Sequence, residues 1–263
     1  MIKADFHNHL GRNGANPGFD ETIDLVYDKF GPNFIFGIAN FTDNRYENFI
    51  DQKGGKYNRV PIQDKTAIYV PDKKMLILKG QEFTKNKEHI LALAVPYGKS
   101  INQDKNIEAM KESKDLGASL IAVHPFYKEG IGNRLEQNQN LLDYFSSIEV
   151  YNGSAEFWLP FILPRNANDK AIAFYFDNIF YDFSPNKFNI GMSSGTDGHS
   201  VEAIGTCYTE LPYGSLSSKN LSYDLNKALR EIKFLGNLHM QPNKKDAAIH
   251  TWNMILATVF KKR

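Results

Sequence analysis

The chain has 263 residues, of which 42% are hydrophobic and 23% charged, and a formal net charge of +1. That composition is ordinary for a globular protein able to bury a substantial core, and no overall field directs it to nucleic acid or to a membrane surface. A single cysteine, Cys207, excludes an internal disulfide and a thiolate zinc site; no apolar run of about 18 residues predicts a transmembrane helix, and no basic start with a long apolar run predicts a signal peptide, so a cytoplasmic setting is expected.

Residues 2–9 read as a first strand ending in Asp5-Phe6-His7-Asn8-His9. On a strand, residues two apart share a face, so His7 and His9 can aim both imidazoles at one point. Alone, that spacing is equally well an ordinary polar pair on a half-exposed strand. Residues 11–18 are loop chemistry. Residues 20–30 carry a helical stripe of Ile23, Val26, Tyr27 and Phe30, stopped by Gly31-Pro32. Residues 34–42 are an almost unbroken apolar run, as in a strand buried on both faces. The segment 43–74 holds turns and a short strand, and is expected to be an edge excursion. Apolar strands follow at 75–81, ending at Glu82, and at 89–95. Then come a helix over 106–116, a strand over 119–123 ending in His124-Pro125, a helix over 135–145 and a strand over 148–151. An aromatic-rich helix spans 169–183. A strand over 188–194 runs into Gly195-Thr196-Asp197-Gly198-His199, with a late strand at 207–211. Amphipathic helices are expected over 221–235 and 246–260. Strand and helix alternate about seven times, which argues for one α/β domain over 1–263 with a mostly parallel sheet.

The polar residues gather at strand ends: His7 and His9, Thr42-Asp43-Asn44, Glu82, His124, and Asp197 with His199, while Glu149 lies within a strand. In parallel barrels and open α/β sheets, sites form where the carboxyl ends of strands meet. Imidazoles and carboxylates without thiolates suit Zn, Mn or Fe(II) in a catalytic position. Each residue has a plainer reading: His89 as a core histidine, His124 as turn chemistry, Glu82 as an ion-pair partner, Asp197 as a turn residue. Their conjunction carries the case. His239 and His250 lack that placement and are assigned to structure.

The conjunction resembles the PHP (polymerase and histidinol phosphatase) family of metal-dependent phosphoesterases. The carrying motifs are Asp5-Phe6-His7-Asn8-His9, Gly80-Gln81-Glu82, Glu88-His89-Ile90-Leu91, Ala122-Val123-His124-Pro125 and Gly195-Thr196-Asp197-Gly198-His199, in the family's order between residues 2 and about 205. The resemblance implies a distorted (β/α)7 barrel with its metal site at the carboxyl ends of the strands. It implies two divalent ions (Zn, Mn or Fe): a first held by His7, His9, Glu82 and Asp197, and a second held by Glu82 as bridge with His89 and His124. Hydrolysis would then use hydroxide formed between the ions, with Glu82, Asp197 and His199 as the catalytic set. The chain departs from the family at Asn44, where a histidine would help hold a third ion, and in the loop after the first strand, which offers only Asn13 and Asn16. A third site is expected to be weak or absent unless Asp43 supplies it, leaving His199 as a partial ligand or a proton donor. Asp5 and Glu149 are expected to support the ligands.

Arg12, Arg134 and Arg165 each follow a strand end and are the candidates to bind substrate phosphate. The segment 45–74, with Arg45, Tyr46, Tyr57 and Arg59, reads equally as a substrate-facing lid or as an edge hairpin. A small phosphorylated substrate is expected; nucleic-acid substrates occur in the family, but the +1 charge and the lack of a basic stripe give one no support. Two rivals remain: an amidohydrolase-type metal hydrolase, which would usually carry a metal-bridging lysine, and a degenerate member that binds metal or a phosphorylated ligand without turnover.

Overall fold

The structure is a computed structural model and describes residues 1–10, 17–84, 87–155, 166–181, 188–199, 203–212, 214 and 216–240. In chain order the elements are β1 (Ile2–Asp5), α1 (Phe19–Phe30), β2 (Phe34–Asn40), α2 (Arg45–Ile50), β3 (Val60–Ile62), β4 (Ala67–Val70), β5 (Met75–Phe83), β6 (Ile90–Leu93), α3 (Asn106–Asp115), β7 (Ser119–Ala122), α4 (Gly132–Gln137), β8 (Ser147–Asn152), α5 (Ala167–Tyr175), β9 (Gly191–Gly195), β10 (Cys207–Leu211), α6 (Leu221–Glu231) and β11 (Leu238–Met240). One sheet runs β11-β10-β1-β2-β5-β6-β7-β8-β9, with the β3–β4 hairpin attached to β5. Its far strand returns to β10, where the Ser194 N–H donates to Thr209 Oγ1 at 2.9 Å. The sheet is therefore a nearly closed, distorted α/β barrel.

Alternation explains how β2 is buried on both faces. Phe34, Phe36 and Ile38 pack with Phe19, Ile23 and Val26 of α1, while Ile35 and Ala39 join the larger cluster that includes Ala4, Leu78 and Leu91. Each Phe, Ile, Leu or Val among them contributes roughly 1.5–3 kcal/mol when fully buried. The first helix ends as expected: Gly31 takes φ 71°, and its N–H donates to the Tyr27 carbonyl.

Two expectations are corrected. The sheet is not mostly parallel: β6 runs antiparallel to both β5 and β7, and β10 antiparallel to β1. The helices expected over 135–145, 169–183 and 221–235 are shorter than those spans. Residues 139–144 and 235–237 are 3-10 turns, and α5 passes at Tyr175 into a π-helical turn over Phe176–Phe180. The expected helix over 246–260 lies outside the described residues.

The segment 45–74 is chiefly an edge hairpin. Ala67 and Val70 of β4 pair with Leu78 and Met75, in the first half of β5. Glu82 lies four residues beyond Leu78, about 13 Å along the strand. Arg59 donates to the carbonyls of Ile50, Gln52 and Gly54, so its charge fastens this segment rather than facing the carboxyl ends of the strands.

Gly191 opens β9 directly under α6: a Cβ there would lie 1.8 Å from the Leu229 carbonyl oxygen. Gly191→Ala is expected to cost at least ~1–3 kcal/mol, since helix backbone and not a flexible side chain must yield. Urea denaturation checks it, and an unchanged midpoint would mean that α6 does not pack there.

Candidate metal centre

The histidine pair is held beyond the regular part of β1. Asp197 N–H donates to the His7 carbonyl and His9 N–H to the Gly198 carbonyl, each at 2.7 Å, while Ala39 N–H donates to the Asn8 carbonyl at 2.8 Å. These bonds place His7, His9 and Asp197 side by side at the carboxyl end of β1. Asp5 braces them from behind: its buried carboxylate accepts from the backbone N–H groups of Thr196 at 3.1 Å and Gly205 at 2.8 Å. Burial raises its pKa to about 6, against the opposing hydrogen bonds from Thr196, Gly205 and Asn8.

Seven side chains converge here in overlapping groups, with ligand atoms within 4.8 Å in each: His7/His9/Glu82, Glu82/His89/His124, His7/His124/Asp197 and His9/Asp197/His199. Glu82, at the end of β5 and buried, faces both ways. Its Oε2 lies 2.9 Å from His9 Nε2 and 3.7 Å from His7 Nε2. Its Oε1 lies 2.9 Å from His89 Nδ1 and 3.3 Å from His124 Nε2. His89 reaches this end because β6 is antiparallel, so its start, not its finish, lies beside the end of β5.

The donor set fits cations. His7 Nδ1 faces Glu149 Oε1 at 3.3 Å and His9 Nδ1 faces the Ala39 carbonyl at 3.1 Å. Both partners accept, so in the neutral form of each ring the proton sits on Nδ1 and the lone pair on Nε2. Those two Nε2 atoms lie 3.2 Å apart, with the carboxylates of Glu82 and Asp197 beside them. Lone pairs gathered in this way repel unless a cation lies among them. His124 differs, since its buried Nδ1 has no hydrogen-bond partner among the described residues.

Glu149 serves both histidine groups. Its Oε2 accepts from the His124 N–H at 2.8 Å and from Asn152 Nδ2 at 2.7 Å, while Oε1 faces His7. A register shift in the β8–β9 ladder begins at Glu149, and such irregularities re-aim side chains. Gly195 leaves room for the contact, because a Cβ there would lie 2.3 Å from Glu149 Oε1 and 2.8 Å from His7 Cβ. Two cluster members sit in the left-handed region, His124 at φ 30° and Asp197 at φ 53°. Strain of about 1–3 kcal/mol at each persists only where neighbours hold it, and such residues concentrate at functional sites.

Electrostatics agree with the donor set. Burial would lower the His7 pKa, but the charges of Asp197, Glu149 and Glu82 outweigh it and hold the imidazole well above its ordinary value. At His124 burial is likewise outweighed by the hydrogen bond to Glu82 and the charges of Asp197 and Glu82. Burial would raise Glu82 and Asp197, yet the neighbouring histidines, His7 foremost, lower both. The site's negative excess draws either protons or metal. Protonated imidazole cannot ligate, so metal affinity should fall from pH 8 to pH 6 and uptake should release protons. Calorimetric titration with Mn or Zn in buffers of different ionisation enthalpy measures both; uptake independent of pH would contradict this charge balance.

The other expected residues are placed as follows. His199 is one-quarter exposed, its Nδ1 at 3.0 Å from the Asp197 carbonyl, and its ring lies 4.9 Å from that of His9. Asp43 does not swing in: its Oδ2 binds Arg45 Nε at 2.5 Å and its Oδ1 accepts from the Phe41 N–H. Asn44 is the cap residue of α2. Arg134 pairs with Glu88 at 2.6 Å, beside His89 in sequence. Arg12, Arg165, Asn13 and Asn16 lie outside the described residues. Two neighbours of the cluster carry no motif: Phe41, stacked on His9 at 4.1 Å, and Glu129, 3.4 Å from His89 Nε2. Glu129 lies between the strand expected over 119–123 and the helix expected over 135–145, in a stretch with no motif to mark it. Among the described residues no helix is long and apolar enough to cross a membrane.

No family model matches the chain, and no curated sequence does. Similar solved structures include PsfC from Pseudomonas syringae PB-5123, at 15% identity and TM-score 0.59, covering 97% of this chain and 100% of that one. A two-domain protein from Bacteroides vulgatus ATCC 8482, containing a predicted PHP-like metal-dependent phosphoesterase, is 16% identical with TM-score 0.50 over 87% of this chain and 63% of that one. The lesion-specific endonuclease PfuEndoQ from Pyrococcus furiosus is 12% identical with TM-score 0.51, over 90% and 57%. This chain thus spans less than two thirds of the last two. At these identities the likeness is one of fold: the chain forms a distorted α/β barrel similar to those of these structures.

Proposed function

We propose that the protein is a metal-dependent phosphatase or phosphodiesterase acting on a small phosphorylated substrate. The observation that carries this reading is Glu82, whose two oxygens face two separate histidine pairs. His7, His9, Glu82 and Asp197 would hold one divalent ion, and Glu82, His89 and His124 a second; Zn, Mn or Fe suits such donors. Bound there, two ions supply Lewis acidity toward phosphoryl oxygens and bring the pKa of a water toward about 7. Glu149 and the Ala39 carbonyl keep the His7 and His9 lone pairs on Nε2. His199, at the solvent edge, is assigned either to complete the first ligand set or to protonate the leaving oxygen.

Phosphate oxygens also need a fixed cation. Arg45 adds a candidate to Arg12, Arg134 and Arg165: its guanidinium lies 4.8 Å from the Phe41 ring centre, and Phe41 stacks on His9. The amidohydrolase alternative loses support at Lys79 on β5, whose Nζ is engaged with Glu47 and with the carbonyls of Pro96 and Lys99. Similarity of fold to a PHP-like phosphoesterase and to an endonuclease supports phosphoester chemistry, and the +1 charge favours a small substrate over DNA.

The test is turnover of p-nitrophenyl phosphate and bis-p-nitrophenyl phosphate by protein loaded with Mn or Zn. Hydrolysis of at least one, abolished by chelation and restored by metal, is expected. No turnover of either at full occupancy would favour a binding protein that keeps metal without catalysis.

A further inference from the structure

The loop between β7 and α4 is folded tightly against the second histidine group. Tyr127 N–H donates to the His124 carbonyl, Gly130 N–H to the Tyr127 carbonyl, and Gly132 N–H to the Pro125 carbonyl. A Cβ on Gly130 would lie 2.3 Å from the carbonyl oxygens of both His124 and Pro125, so the loop closes on its own backbone. It then docks on the strand opposite: His89 N–H donates to the Glu129 carbonyl at 2.8 Å, and His89 and Gly130 form an isolated parallel bridge. One loop therefore carries His124 at its start and grips His89 near its end. The Glu129 carboxylate follows the same direction, with Oε2 lying 3.4 Å from His89 Nε2 while His89 Nδ1 faces Glu82 Oε1 at 2.9 Å.

We infer that Glu129 is the positioning residue of the second metal position, accepting the Nε2 proton of His89 so that the Nδ1 lone pair is presented beside Glu82. This rests on the two-ion reading of the centre. The chemistry parallels that of His7, with the nitrogens exchanged: Glu149 takes the Nδ1 proton there and leaves Nε2 to ligate. A carboxylate behind a ligating imidazole fixes its tautomer and ring orientation and makes the other nitrogen a better ligand. Glu129 is 44% exposed, so the contact can be removed without opening a cavity in the core.

The test is metal stoichiometry and stepwise affinity for Mn, by calorimetry and elemental analysis, on the full chain and on Glu129→Ala and Glu129→Gln. Glu129→Ala is expected to weaken the second ion about 10–100-fold and leave the first unchanged. Glu129→Gln, which keeps an oxygen acceptor for Nε2, should recover most of that loss. A general structural role would weaken both ions together and lower the metal-free melting temperature; either result, or wild-type affinity in Glu129→Ala, overturns the assignment. A wild-type chain that binds one ion or none overturns the two-ion reading and this assignment with it. Two ions bound without hydrolysis of any ester removes the enzymatic reading alone and leaves Glu129 in place.

Discussion

Glu82→Gln is expected to take the metal content from two ions to none at micromolar metal and to reduce phosphoester turnover on the order of 10³-fold. The carboxylate is shared: Oε2 faces His7 and His9, Oε1 faces His89 and His124, and the group is buried. An amide keeps one oxygen and turns an NH2 toward the other histidine pair. Two charge–ion attractions are thereby lost in a site where water does not screen them. Metal stabilisation of the reacting phosphoryl group is a matter of several kcal/mol, and about 4 kcal/mol corresponds to that fall in rate. Elemental analysis of wild type and variant, with circular dichroism to show that both are folded, decides it. Loss of one ion, or of none, would remove Glu82 from the bridging position.

The second large effect is expected at Glu149. In Glu149→Gln one oxygen can still accept from the His124 N–H and from Asn152, so the chain should fold. The amide NH2 then faces His7 Nδ1, which must become an acceptor; the proton moves to Nε2 and His7 ceases to present a lone pair. The first ion should bind about 10–100-fold more weakly, with the second less affected. Glu149→Ala should do more, since the buried His124 N–H and Asn152 amide lose their acceptor, each at about 1–3 kcal/mol. Stepwise Mn titration and chemical denaturation separate the variants. Wild-type affinity in Glu149→Gln would mean that His7 does not depend on Glu149 for its tautomer.

Most of the centre is legible along the chain because its residues follow apolar runs, and a strand-length run names its end. His7, His9, Glu82, His124 and Asp197 can all be found in this way, and the α/β class follows from the alternation of runs and helical stripes. His89 cannot. It precedes its strand, and only the antiparallel direction of β6 brings that start to the carboxyl end of β5. Hydrophobic periodicity reports which side chains turn inward but carries no sign for strand direction. The same limit made 45–74 equally lid or hairpin until its pairing with the first half of β5 placed β3 and β4 away from the site.

The amino-acid sequence by itself determined the kinds of side chain in the cluster, their order along the chain and the absence of a histidine at Asn44. Those properties belong to single residues and to their local spacing. Only the tertiary structure decided that Glu82 faces two ways, that Asp43 is engaged by Arg45, and that Glu149 and Glu129 stand behind His7 and His89. Each of these depends on the direction of one oxygen or one ring nitrogen between segments distant in the chain. The packing of those segments sets that direction, and no local pattern of residues records it.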